Sequence, residues 1–222
     1  MVQQFDKRVS VIPLFLNLRG KGVAIFGGGR VGERRALRFV RAVKEVIVIG
    51  KEFTKKLEKL GDELGNVTLV RQEITQLEIE KYVRDAFIVI PATSDYKLNQ
   101  RIANAARSHG KLVNRVDGGE TDVVVPAIVE KDGVQVAITT GSPIITRYLK
   151  DKLSRTITDE DALLLEIQRY ARGLVKGRLP RQIDRKKFLR RAFSNSSIRR
   201  LIGEGKVEEA KEKVLALLVG ES

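Results

Sequence analysis

Three glycines in this sequence have the spacing of a site for phosphate groups. Gly27, Gly29 and Gly32 fall in the pattern G-x-G-x-x-G directly after the apolar run 23–26. In a dinucleotide-binding turn, the first glycine allows a tight turn, the second lets the backbone approach a pyrophosphate, and the third lets a helix pack on a strand. The N-terminus of that helix offers N–H groups and a partial positive charge to phosphates. The pattern predicts a nucleotide site, and the alternative is a turn that serves packing alone.

Polar side chains lie at the ends of two later segments that are predicted to be strands. Thr93 comes directly after the run 86–92, and Asp117 ends the run 111–117. At the C-terminal edge of a parallel sheet, both would face the glycine turn, with Thr93 near the nicotinamide or the substrate. A carboxylate in that position could accept a proton as a hydride leaves a substrate, if burial raises its pKa. The alternative is a turn aspartate before Gly118.

Two further loops could contact ligands. The run 45–50 ends at Gly50, where NAD enzymes commonly carry an acidic residue for the ribose; Glu52 comes slightly late. Lys51 could instead contact a phosphate, so the choice between NAD and NADP stays open at this point. The loop 139–143 leads into a helix whose N-terminus could bind a carboxylate or could need only a cap.

Alternating strands and helices must position these groups. Apolar, β-branched runs at 23–26, 45–50, 66–74, 86–92 and 111–117 are separated by segments with helical periodicity. This rhythm predicts an α/β fold with a Rossmann-like parallel sheet. Asp132-Gly133 then predicts a β-hairpin outside that repeat. From Ser142-Pro143 onward the chain is predicted to be helical, with Ser142 as the first cap.

The composition narrows the class of protein. The formal net charge is +14, which attracts anions or simply solvates the surface. Cysteine is absent and there is one histidine, so a cysteine-based metal site and a histidine cluster are excluded, and a cytoplasmic location is expected. No apolar run approaches the roughly 18 residues of a membrane helix. The N-terminal residues lack a long apolar region and a cleavage site, so no signal peptide is expected.

Several segments together resemble the precorrin-2 dehydrogenase family, which includes the N-terminal part of siroheme synthases. The matching segments are PLFLNLRGKGVAIFGGGRVGERRA, PATSDYKLN, VNRVD, VPAIVEKDGVQVAITTGSP and RYLKDKLS. They follow the family's order over residues 12–154. The resemblance implies NAD-dependent oxidation of precorrin-2 to sirohydrochlorin in siroheme biosynthesis, with iron insertion left open. It also implies a homodimer. Neither nucleic acid nor a membrane is expected as a partner.

The resemblance implies domains and residue roles as well. It divides the chain into an NAD-binding Rossmann domain (1–113), a dimerisation region with the hairpin (114–150) and a helical C-terminal domain (151–222). Asp117 would be the catalytic base, and no metal site is implied. The implied cofactor-binding residues are Gly27, Gly29, Arg30, Val31, Gly32, Lys51, Glu52 and Thr93. The implied substrate-binding residues are Asn114, Thr140 and Ser142.

Two other classes of protein remain as alternatives. A non-catalytic NAD(H)-sensing Rossmann module also uses a glycine turn of this kind, but Gly50 stands where such sensors usually carry an acidic residue. A nucleic-acid-binding protein could use the segment 169–200, in which twelve Lys or Arg residues accompany a single acidic residue, Asp184. That segment has few aromatic residues and no recognition motif, so this alternative ranks last.

Overall fold

The computed structural model describes residues 11–220; the residues 1–10, on which the signal-peptide expectation partly depends, lie outside it. The chain divides into two compact units, one up to Val125 and one from Pro126 on. In the first unit the elements are β1 (Gly22–Phe26), α1 (Arg30–Phe39), β2 (Glu45–Gly50), α2 (Lys55–Glu63), β3 (Val67–Arg71), α3 (Gln76–Asp85), β4 (Ile88–Pro91), α4 (Tyr96–Ser108) and β5 (Leu112–Val113).

The first unit is a doubly wound parallel sheet, as the alternating pattern predicts. The strand order is β3-β2-β1-β4-β5, and all the pairings are parallel. Val23 and Ile25 of β1 pack with residues of α1 and α2, whereas Ala24 and Phe26 pack with residues of α3 and α4. Because both faces of β1 are buried, its sequence is a continuous apolar run. The strand order reverses between β1 and β4, which is where ligands bind in sheets of this type.

The fifth strand is shorter than the sequence predicts. β5 ends at Val113 instead of residue 117, because later residues return to its backbone. The Asp122 carboxylate accepts a hydrogen bond from the Val113 N–H at 3.0 Å, and the Asp122 N–H donates to the Val113 carbonyl at 2.8 Å. Asp117 therefore lies in the loop after β5, and the expectation that it ends the strand is wrong.

The second unit holds the hairpin and the remaining helices. Its elements are β6 (Ala127–Lys131), β7 (Val134–Ile138), α5 (Pro143–Thr156), α6 (Asp159–Arg178), α7 (Gln182–Ser194), α8 (Ser196–Gly203) and α9 (Val207–Val219). β6 and β7 pair antiparallel across Asp132 and Gly133, whose φ angles of 42° and 92° match the predicted turn. Helices α6 to α9 enclose an apolar core around Phe188. Among the helices of residues 11–220, none has the length and apolar character to cross a membrane.

Candidate functional site

The glycine turn is held tightly between neighbouring strands. Gly27 has a φ of 124°, and its N–H donates to the Ile49 carbonyl at 2.7 Å. A Cβ atom at Gly27 would overlap the carbonyl oxygen of Ala92, and one at Gly32 would overlap the carbonyl oxygen of Gly27. The structural roles predicted for these two glycines, the tight turn and the close helix packing, are therefore confirmed.

The start of α1 is open to a ligand. Gly29 is the N-cap of α1, no side chain caps this end, and a Cβ at Gly29 would meet nothing within 4 Å. The first N–H groups of a helix need acceptors from outside it. Arg30 is exposed, and within residues 11–220 its side chain has no ion-pair partner. The turn therefore has the space, the N–H donors and the cation that a pyrophosphate needs.

The loop after β2 is fixed against this turn. A Cβ at Gly28 would overlap the carbonyl oxygen of Glu52, and the Thr54 N–H donates to the Gly28 carbonyl at 3.1 Å. The Thr54 hydroxyl donates to a carboxylate oxygen of Glu33 on α1 at 2.6 Å. Thr54 and Glu33, which sequence reasoning missed, thus hold together the two loops that would contact the cofactor.

The cations at the edge of β2 and β3 are already paired. The Lys51 ammonium lies 2.8 Å from a carboxylate oxygen of Glu73, and Arg71 lies 2.6 Å from one of Glu58. Glu52 has an exposed side chain. An additional phosphate on the ribose would have to compete with carboxylates for both cations, whereas ribose hydroxyls would not.

Asn99 connects Thr93 to Asp117. The Asn99 side chain accepts hydrogen bonds from the Thr93 hydroxyl at 2.7 Å and the Thr93 N–H at 3.1 Å. Its Nδ2 donates to the Thr93 carbonyl and to Oδ2 of Asp117, both at 3.0 Å. Because a Cβ at Gly27 would also lie against Thr93, these contacts lead from the glycine turn to Asp117. Asp117 is therefore at the crevice that the strand order defines.

Arg115 fixes the Asp117 carboxylate. The guanidinium donates to Oδ1 of Asp117 from Nε at 2.8 Å and to Oδ2 from Nη2 at 2.7 Å. The Arg115 side chain is 0% exposed, and it also donates to Gln100 and stacks 4.7 Å from the centre of the Tyr96 ring. The bond to Arg115, aided by the bond from Asn99, holds the pKa of Asp117 well below its ordinary value, although burial opposes this.

This pKa differs from the sequence expectation. The sequence makes Asp117 a base on the condition that burial raises its pKa. Burial acts in that direction, but the bond to Arg115 outweighs it and lowers the pKa, so the carboxylate stays ionised at neutral pH and is a weaker base than an ordinary aspartate. Neither Arg115 nor Asn99 was predicted as a site residue. Asn99 carries a weak signal in the sequence, because it is a polar residue on the same face of α4 as the buried Ile102 and Ala103.

Asn114 is almost completely buried. It follows β5, and the side chain is 2% exposed overall. Its Nδ2 donates to the Val123 carbonyl at 2.6 Å, whereas its Oδ1 has no hydrogen-bond partner among residues 11–220. The free atom that this residue offers is therefore an acceptor.

Thr140 and Ser142 belong to the second unit. Ser142 occupies the N-cap position of α5, as predicted, but its side chain makes no capping hydrogen bond. The Thr140 hydroxyl bonds to the cap residue instead: it accepts from the Ser142 N–H at 3.3 Å, and it lies 2.8 Å from the hydroxyl of Thr146 in α5. These hydroxyls stabilise the start of α5.

The fold and the glycine turn define a dinucleotide-binding domain of the Rossmann class. An ionised aspartate, Asp117, lies in the loop after its last strand. No group of three or more His, Cys, Asp or Glu side chains that could hold a metal ion occurs among the residues that the structure describes. The glycine turn can bind a nucleotide, and the Asp117 carboxylate can exchange a proton.

Known proteins agree with this class. Residues 14–127, just over half of the chain, match the family described as "Putative NAD(P)-binding". The precorrin-2 dehydrogenase of Methanosarcina barkeri is 31% identical over 217 residues, covering 96% of this chain and 95% of that protein. The siroheme synthase of Actinobacillus pleuropneumoniae serotype 3 is 29% identical over 95% of this chain, which spans only 43% of that protein. The chain belongs to the precorrin-2 dehydrogenase family.

A solved structure agrees on the fold. The precorrin-2 dehydrogenase SirC superposes with a TM-score of 0.72 over 91% of this chain and 100% of that one. The sequence identity of the pair is 20%, so this comparison speaks for the fold alone.

Proposed function

We propose that this protein catalyses the NAD-dependent oxidation of precorrin-2 to sirohydrochlorin in siroheme biosynthesis. The observation that carries the proposal is the 31% identity to a precorrin-2 dehydrogenase over nearly the full length of both chains. The geometry supports it, because the site combines a dinucleotide turn with an ionised carboxylate beside it. An oxidation that extends conjugation removes a hydride and a proton; NAD held by the turn would accept the hydride, and the carboxylate would accept the proton.

A few residues of the first unit carry this mechanism. NAD, when bound, supplies the hydride acceptor. The N–H groups after Gly29 and the Arg30 guanidinium bind its pyrophosphate, Val31 and Thr93 line the cofactor, and Asp117 accepts the substrate proton. Arg115 and Asn99 fix the carboxylate so that no reorientation is needed when the proton is transferred.

The proposal assigns NAD rather than NADP. Lys51 and Arg71 are paired with Glu73 and Glu58, so a ribose phosphate would have to displace a carboxylate from either cation. Glu52 and the backbone of its loop would contact the adenosine ribose.

The substrate carries many carboxylates, and the net charge of +14 would attract it. We assign Asn114, Thr140 and Ser142 to the substrate, each as a hydrogen-bonding group. Iron insertion is not part of this proposal. The proposal does include a cytoplasmic location, which is consistent with the absence of cysteine.

We also propose a homodimer that uses α5. No residue of this helix is buried, and it carries Ile144, Ile145 and Tyr148, which are 80%, 48% and 61% exposed. Ile144 and Tyr148 are one turn apart and share a face. A second copy would cover this face. The double variant Ile144→Asp/Tyr148→Asp should sediment as a monomer in analytical ultracentrifugation, and an unchanged sedimentation coefficient would contradict the assignment.

Incubation with precorrin-2 and NAD⁺ tests the proposed reaction. NADH absorbance should rise together with the spectrum of sirohydrochlorin, and NADP⁺ should be a poor substitute. Addition of Fe²⁺ to the same mixture reports separately on chelation. Tight NAD⁺ binding without any turnover would refute the dehydrogenase and support the nucleotide-sensing module.

A further inference from the structure

A groove between α6 and α7 of the second unit has no part in the reaction above. Its volume is about 1100 Å³. Its apolar surface comes from Val175, Ile183, Leu189 and Phe193. Its cations are Arg172, Lys176, Arg185, Lys186 and Arg190, and no carboxylate lines it. The groove therefore combines an apolar surface with a concentration of positive charge.

The cations of the groove are available to a ligand. Within the part of the chain that the structure describes, none of the five forms an ion pair, and the nearby Asp184 is paired with Arg181 at 2.6 Å. Arg185 donates from one terminal nitrogen to the Pro180 carbonyl at 2.9 Å, but its buried Nε has no acceptor. A buried donor of this kind is normally satisfied, and Arg185 is one of the residues that line the groove.

The apolar surface narrows the class of ligand. A small inorganic anion would gain nothing from Leu189 or from the Phe193 ring, which is 46% exposed. Single-stranded nucleic acid is held by series of stacked aromatic side chains, and Phe193 is the aromatic residue among those that line this groove. A flat apolar body edged with several carboxylates matches both parts of the surface. The volume also exceeds the usual range for small ligands, which ends at about 1000 Å³.

We propose that the α6–α7 groove is a second binding site for a tetrapyrrole polycarboxylate. The macrocycle lies against Phe193 and Leu189, and its carboxylates bind the arginine and lysine side chains. The identity of the ligand rests on the proposed function, since the substrate and the product of that reaction are tetrapyrroles of this kind. Such a site would retain the tetrapyrrole on the protein before or after oxidation.

A porphyrin titration tests the groove directly. Uroporphyrin, an octacarboxylate porphyrin, is added to the full chain and its fluorescence is followed. The double variant Lys186→Glu/Arg190→Glu should weaken one binding component by about tenfold or more, because two attractive contacts become repulsive. Phe193→Ala should weaken the same component by about threefold or more through lost stacking. The matched control is Arg178→Glu/Lys187→Glu, which changes the net charge equally at exposed residues that do not line the groove.

The outcomes separate this proposal from the proposed function. We expect the control to bind like the wild type, and all the variants to keep the wild-type kcat for NADH formation at saturating precorrin-2. Equal weakening in the control, or no weakening in the groove variants, would overturn the proposal. An oligonucleotide titrated in parallel gives the remaining outcome: groove variants that keep porphyrin binding but lose oligonucleotide binding would also overturn the proposal. Absence of NADH formation in the wild type would refute the dehydrogenase, while the titration would still decide on the groove.

Discussion

Asp117→Asn is the sharpest test of the candidate site. The substitution keeps the shape of the side chain but removes its charge. Asp117 accepts from Arg115 Nε and Nη2, from Asn99 Nδ2 and, at 3.3 Å, from the Gly119 N–H. All of these partners are donors. An asparagine amide would therefore place its own donor against at least one of them.

The magnitude follows from the burial of Arg115. The Arg115 side chain is 0% exposed and the Asp117 side chain is 19% exposed. Asp117→Asn therefore leaves a buried guanidinium without its counter-charge. Breaking such a pair costs about 3 kcal/mol in the free energy of unfolding. For a unit of this size that lowers Tm by about 10 °C, which leaves the protein folded at 25 °C. Loss of the proton acceptor should lower kcat by about 100-fold or more.

The assay measures kcat for NADH formation at 25 °C, the Kd for NAD⁺ and Tm. Only kcat and Tm should change, because the glycine turn is intact. Asp122→Asn is the matched control: it is the same change in the same loop, at a carboxylate held by Arg107 and the Val113 N–H. It should lower Tm but keep kcat. Wild-type turnover in Asp117→Asn, or an equal loss in Asp122→Asn, would refute the reasoning.

The glycine turn, Asn99 and Asp117 give four further predictions. Gly29→Ala should fold normally, because its Cβ meets open space, but should weaken NAD⁺ binding in a calorimetric titration; Gly27→Ala should lower the free energy of unfolding by about 2 kcal/mol or more, because a φ of 124° and the Ala92 carbonyl both oppose a Cβ. Asn99→Asp keeps the acceptor for Thr93 but places a like charge at Asp117, so the acid limb of the kcat–pH profile should move to higher pH; an unmoved limb would contradict the contact. Because the folded pKa of Asp117 is depressed, its contribution to stability is full above the unfolded pKa of about 3.9 and is lost as pH falls towards the folded value; urea midpoints below pH 5 should therefore fall more steeply for the wild type than for Asp117→Asn.

The sequence predicts the parts of the fold that local patterns control. The apolar run 23–26 and the spacing of the glycines are enough to predict β1, the turn and α1, because each requirement lies within a dozen neighbouring residues. The hairpin is equally local, since Asp132 and Gly133 both adopt the positive φ that their turn needs.

Contacts between residues that are distant in the sequence determine the end of β5 and the surroundings of Asp117. Only one apolar residue, Val116, separates Val113 from Asp117, and including it in the strand over-extends β5. Asp122 instead ends the strand by binding its backbone from nine residues away. The bond from Asn99 to Asp117 likewise joins residues that are eighteen apart. No pattern in the sequence specifies that contact, and the low pKa of the carboxylate, which depends on Arg115 and Asn99 together, could not be predicted without it.

The contact between Gly28 and the Glu52 carbonyl limits how the cofactor preference of this protein could be re-engineered. Since no side chain fits between the two backbones, the path of the 50–54 segment is dictated by the turn beside it. Exchanging exposed side chains, such as those of Lys51 and Glu73, leaves that path alone. Grafting a longer segment from an NADP enzyme would push the two backbones apart, and the transplanted residues would arrive at a distorted pyrophosphate pocket.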